Sequence, residues 1–215
     1  SYDVQGLGEN HSLNAMVGNE VLASKSNNNV IYGVGYPTEW NMEQVFGNIN
    51  FSDKDKGMDY VSSSIGVPSH TLSWFGRVNY SYLGRYLVTA TMRADGSSKF
   101  SKGNQWGYFP AAAVAWRLSD EPFMEGARSW LDNLKFRFSI GTSGNDGIDD
   151  SAFYTTWVPS STTVNGQTVT TYKPGALLGN PDLTWETTTS RNIGIDYSFF
   201  NGKINGALDF YWNST

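Results

Sequence analysis

The chain has 215 residues, of which 39% are apolar, 15% aromatic and only 16% charged, with a net charge of −5 at pH 7. That acidic balance excludes a nucleic-acid partner, which needs a basic face, and the absence of cysteine excludes disulfides, thiolate metal clusters and cysteine nucleophiles. No apolar run reaches the ~18 residues of a membrane-crossing helix, and the mean hydropathy of −0.40 does not argue against a barrel, whose strands turn only alternate residues to lipid.

The 23 Gly, 8 Trp, 12 Tyr and 12 Phe point to an all-β chain. Ser1 to Asn10 lack the charged and apolar regions of a secretory signal, so the true N-terminus is expected upstream. Period-two alternation predicts strands over 11–24, 69–82, 85–95, 107–118, 131–141, 185–199 and 203–213. Several match the ~9–11 residues of a tilted membrane-crossing strand rather than the ~5–6 usual in soluble sheets.

Charge is nearly confined to one face of these strands. Leu72, Trp74, Val78, Tyr80 and Tyr82 oppose Ser73, Arg77, Asn79 and Ser81; Tyr86, Val88, Ala90 and Met92 oppose Arg85, Thr89, Thr91, Arg93 and Asp95. Leu134, Phe136, Phe138 and Ile140 oppose Lys135, Arg137, Ser139 and Gly141, and Ile204, Leu208, Phe210 and Trp212 oppose Lys203, Asn205 and Asp209. Arg191 alone shares parity with Ile193, Ile195, Tyr197 and Phe199, near enough to a strand end to snorkel.

The connections alternate in length. Leu83-Gly84 and Asn201-Gly202 read as tight hairpin turns, and 119–133 as a longer turn with a helical piece over 121–130. The other end carries long polar stretches at 25–68, 96–106 and 142–184. Tyr80, Tyr82 and Tyr86 flank one short turn, and Phe199 and Phe200 another, as in an interfacial aromatic girdle. Strand length, girdle and connection asymmetry favour a transmembrane antiparallel β-barrel with long extracellular loops and short periplasmic turns. A soluble carbohydrate-binding β-sandwich, with its apolar face turned into a core, shares the alternation and is the alternative.

Four stretches carry a family resemblance: Arg77 to Tyr82 with Arg85 to Phe100, Trp106 to Pro110 leading to Ala115 to Ser119, Leu134 to Arg137 with Gly141 to Asn145, and Asn180 to Thr188. In order and spacing they resemble the barrel of SusC/RagA-type TonB-dependent transporters over residues 70–215, and more loosely before that. The resemblance implies a barrel of about twenty-two strands, of which this chain would be a central portion of about seven or eight. Plug domain, TonB-contacting segment and C-terminal strands are expected outside it. It further implies import of oligosaccharides or peptides across the outer membrane of a Bacteroidetes-like bacterium, with TonB and a SusD-like surface lipoprotein as partners. No enzymatic activity and no cofactor are implied.

The inward parity of Arg77, Arg93, Arg117 and Arg137 places them on the lumen, facing the plug that the resemblance implies. Trp40, Trp157 and Tyr172 fall in predicted extracellular loops, where exposed rings can stack on substrate, while Trp106 reads as structural at the rim. Asn145 to Asp150 is the densest acidic cluster and offers oxygen ligands for Ca²⁺, although a solvated loop is the plainer reading. The run Asp53 to Gly57 is no EF-hand, because Ser64 stands where the twelfth-position Glu belongs. The carboxylate pairs Asp182/Glu186 and Glu121/Glu125 lack a glycosidase context, and no Gly-x-Ser-x-Gly elbow accompanies the serines. A secreted hydrolase is therefore the weakest reading.

Overall fold

The computed structural model describes residues 1–53, 60–150 and 152–215. Most of the run weighed above as an EF-hand, residues 54–57, lies outside the described residues. The strands in chain order are β1 (Tyr2–Asp3), β2 (His11–Ser24), β3 (Asn27–Tyr32), β4 (Tyr60–Ile65), β5 (Ser69–Tyr82), β6 (Tyr86–Ser97), β7 (Trp106–Arg117), β8 (Leu131–Asn145), β9 (Trp157–Val164), β10 (Gln167–Pro174), β11 (Glu186–Phe199) and β12 (Ile204–Ser214), with one short helix, α1 (Met42–Gly47). All seven predicted strands form, and 11–24 and 69–82 have the expected bounds.

The chain divides into two units, Ser1–Leu22 with His70–Thr215, and Ala23–Ser69. In the first, eight strands make one sheet in the order β1-β2-β5-β6-β7-β8-β11-β12. It is an up-and-down sheet, antiparallel at β1·β2 and at each junction from β5 to β12.

The register turns the alternation into rows that cross the sheet. One face reads Tyr82, Tyr86, Trp116, Phe136, Ile195, Leu208 along one row, and Tyr80, Val88, Val114, Phe138, Ile193, Phe210 along the next. The opposite face reads Arg77, Thr91, Ala111, Gly141, Ser190, Asn213, then Asn79, Thr89, Ala113, Ser139, Asn192, Tyr211. Among the described residues no second sheet covers the apolar rows, and Val88, Val114, Phe138, Ile193 and Phe210 stay exposed. That disposes of the sandwich, which would bury them. Hydrocarbon is the solvent such a face fits.

Connection lengths also follow the expectation. Short turns at 83–85 and 200–203 lie at one end of the sheet, together with 118–130. Leu83 and Gly84 adopt φ of +53° and +66°, the left-handed pair that matches strand twist. The second turn is longer than the Asn-Gly pair suggested, because Phe200 is left-handed as well as Asn201 and Gly202. The helical piece of the third consists of two 3₁₀ turns, Leu118–Asp120 and Pro122–Ala127.

The long connections at the other end are not irregular throughout. Residues 142–184 contain the hairpin β9·β10, closed by Asn165 and Gly166 at φ of +51° and +76°. In the second unit β3 pairs with β4, and α1 is capped by reciprocal bonds between Asn41 and Gln44.

Candidate functional site

On the polar face, charge is paired within the wall. Arg93 donates through Nε to Asp95 at 2.8 Å and through Nη2 to Ser73 at 2.9 Å and Glu20 at 3.1 Å. Its guanidinium also lies 5.6 Å from the Phe75 ring centre. Arg137 bonds Asp196 from both Nε and Nη2, at 3.0 and 2.8 Å, and reaches Asp209 at 3.1 Å, while Lys135 approaches Asp196 at 3.2 Å. Asp95 lies on Arg93's own strand and Asp196 on the strand next to that of Arg137, while Glu20 on β2 and Asp209 on β12 lie two strands away, so each cluster ties strands together. Arg117 meets Asp120 at 3.4 Å, beside the long turn. Arg77 makes no ion pair among the described residues.

At the long-loop end the family stretches converge. Phe100 is 1% exposed, lying 5.3 Å from the Trp185 ring, and Phe109 meets the same ring edge-on at 5.4 Å. Gly107 and Gly144 leave room for Phe109; a Cβ on Gly107 would stand 2.5 Å from its Cζ. Trp185 donates to the Gln105 carbonyl at 2.9 Å, and Asn104 and Ser101 donate to the Pro181 carbonyl. At the other stem of the long loop, Ser97 donates to Asp146 at 2.9 Å and Lys99 to the Asp146 carbonyl at 3.2 Å. Residues 97–105 therefore clamp both stems of the loop that carries β9·β10.

The acidic run is thus engaged by Ser97 and Lys99, and among the described residues no three His, Asp or Glu side chains converge as metal ligands. Of the candidate carboxylate pairs, Glu186 accepts from Asn145 at 2.9 Å and Glu125 lies 4.0 Å from Arg128.

Trp157 and Tyr172 come together on one hairpin. The register pairs Trp157 with Pro174 and Pro159 with Tyr172, which sets the two rings diagonally on one face. They are 62% and 67% exposed. Trp40 belongs to the other unit, where it stacks on Tyr36 at 6.2 Å and is half-buried.

Glu121 was expected only as a turn residue, yet it is buried and accepts from Tyr86 Oη at 2.6 Å, Trp116 Nε1 at 2.9 Å and Arg85 Nη1 at 2.8 Å. The Tyr86 and Trp116 hydrogen bonds, with the nearby Arg85 charge, hold its carboxyl below the usual range. The sequence signal was Pro122 after Glu121, which starts a 3₁₀ turn and aims the preceding side chain back at the sheet.

Comparisons with known proteins agree with this geometry. The family model described as "TonB dependent receptor-like, beta-barrel" matches residues 2–215. TonB-dependent receptor P26 of Formosa agariphila is 36% identical over 97% of this chain and 20% of its own length. TonB-dependent receptor SusC of Bacteroides thetaiotaomicron is 43% identical over 67% of this chain and 15% of its own. The chain therefore spans a fifth or less of these relatives. Among solved structures, the RagAB peptide transporter superposes with a TM-score of 0.79 at 22% identity, over 99% of this chain and 22% of that one, a likeness of fold. The named relatives are receptors. With the two-faced sheet, these findings establish that the chain belongs to the TonB dependent receptor-like β-barrel family of the outer membrane, and is of SusC/RagA type.

Proposed function

We propose that this chain forms part of the wall of an importer that carries oligosaccharides or peptides into a Bacteroidetes-like bacterium. The observation that carries the reading is the pair of opposite solvents built into one sheet: apolar rows on one face, with Arg191 set between Ile140 and Trp212, and small polar residues with internally paired charges on the other. In this reading further strands outside the chain pair the edges at β1 and β12. A SusD-like lipoprotein sits over the long-loop end, and TonB acts on a region outside the chain. Arg77, without an ion pair among the described residues, meets the plug, and Trp157 and Tyr172 meet substrate. The wall does no covalent chemistry, and the reading calls for no cofactor.

The species of the relatives, Formosa agariphila and Bacteroides thetaiotaomicron, support the host assignment. The test is uptake of labelled oligosaccharides and peptides by cells with and without the gene, before and after a protonophore. Uptake lost on deletion and on uncoupling is expected. Undiminished uptake in the deletion strain for every compound, or recovery of the protein in the soluble fraction, overturns the reading.

A further inference from the structure

We propose that one face of the β9·β10 hairpin binds an uncharged oligosaccharide chain. This rests on the transporter reading and narrows its substrate to neutral glycan. Trp157 opposite Pro174 and Pro159 opposite Tyr172 form a block of four rings, and the following rungs on the same face, Ser161 opposite Thr170 and Thr163 opposite Thr168, add four hydroxyls. All eight residues are exposed, and neither Trp157 nor Tyr172 packs on another ring among the described residues. Flat rings cover the apolar C–H face of a sugar, and hydroxyls exchange hydrogen bonds with its rim.

The face carries no charge. The hairpin's one ionisable cation, Lys173, has the opposite parity. An acidic polysaccharide or a charged peptide therefore finds no counter-ion there. Size argues against a protein partner. Eight rungs at ~3.3 Å on two strands ~4.8 Å apart give a patch of roughly 250–300 Å², about a third of the ~800 Å² each partner buries in a stable protein interface. It suits a short linear chain. The Asn165-Gly166 turn fixes the register beforehand, so little ordering remains to oppose binding.

The experiment uses the purified full-length transporter and calorimetric titration with maltohexaose, cellohexaose and xylohexaose. A galacturonic acid hexamer and an alanine–serine heptapeptide are the contrasting probes. Binding of at least one neutral hexasaccharide is expected, weakened about tenfold by either Trp157→Ala or Tyr172→Ala and retained within about threefold by Trp157→Phe. An unchanged thermal unfolding curve keeps a folding defect apart from a binding defect. The proposal is overturned if no neutral sugar binds, if only the acidic or peptide probe binds, or if the double variant binds sugar as tightly as the wild type. It is likewise overturned if the variants shed a co-purifying protein at unchanged sugar affinity. Failure of the transporter reading shows separately, as wild-type cells with no energy-dependent uptake.

Discussion

Glu121 collects hydrogen bonds from β6, from β7 and from the turn before β6, so one carboxylate fastens the long turn onto the girdle. Since its pKa is depressed in the folded protein, its contribution is present above the ordinary carboxylate range and is lost as pH falls through the folded value. Glu121→Gln should therefore lower the melting temperature at pH 7, yet flatten its decline below about pH 4. Parallel acid limbs in thermal unfolding followed by circular dichroism would contradict that assignment. The glycines make a second residue-scale prediction. Gly144→Ala drives a methyl into the Phe109 ring, whereas Gly76→Ala meets nothing closer than the Met16 carbonyl at 3.6 Å. The first should destabilise by about 1–3 kcal/mol and the second by well under 1. Equal denaturant midpoints for the two variants would show that the Phe109 packing is not rigid.

Among the elements, the β5–β6 turn holds Leu83 at φ +53°, a conformation that costs a branched L-residue about 1–2 kcal/mol and asparagine much less. Leu83→Asn should stabilise the refolded protein by about 0.5–1 kcal/mol, read as a higher urea midpoint in lipid vesicles. A lowered midpoint would mean that Leu83 is held by interfacial packing instead. Strands such as β2 and β5 were legible to the residue because each separates two different media, and that imposes a period of two, with Phe75 on β5 an exception that packs under Arg93 on the polar face. β3·β4 and β9·β10 were not, since each is an isolated pair whose composition (Asn27 to Asn29, Ser160 to Thr163) does not alternate. A usable signal did exist in Asn165-Gly166, flanked by Val164 and Val169. Without that turn, Trp157 and Tyr172 could be picked as exposed rings but not placed side by side. Parity alone puts Arg93 and Arg137 among the polar residues of their strands, but their partners Glu20 and Asp196 lie 73 and 59 residues away and no local pattern reveals them.

At the scale of the molecule, the connections 98–105 and 146–185 leave one end of the sheet, and the turns 83–85, 118–130 and 200–203 leave the other, so a single orientation in the membrane fixes the side of each. The chain contains no cysteine, which gives single-cysteine labelling a clean background in this region. Thr168→Cys, on β10, should react in intact cells with a maleimide too large to pass the outer membrane, whereas Lys203→Cys, in the β11–β12 turn, should react only once that membrane is opened. Between the two ends the wall itself can be scanned. Spin labels placed one at a time from residue 86 to 92 should alternate, with high oxygen and low nickel-chelate collision rates at 86, 88, 90 and 92 and the reverse at 87, 89 and 91. Oxygen concentrates in hydrocarbon and the chelate in water, so this period reports two media directly. Loss of the alternation, or Lys203→Cys reacting from outside, would mean that the apolar rows face something other than lipid; the alternation together with one-sided labelling would tie the sequence parity to a wall standing between two solvents.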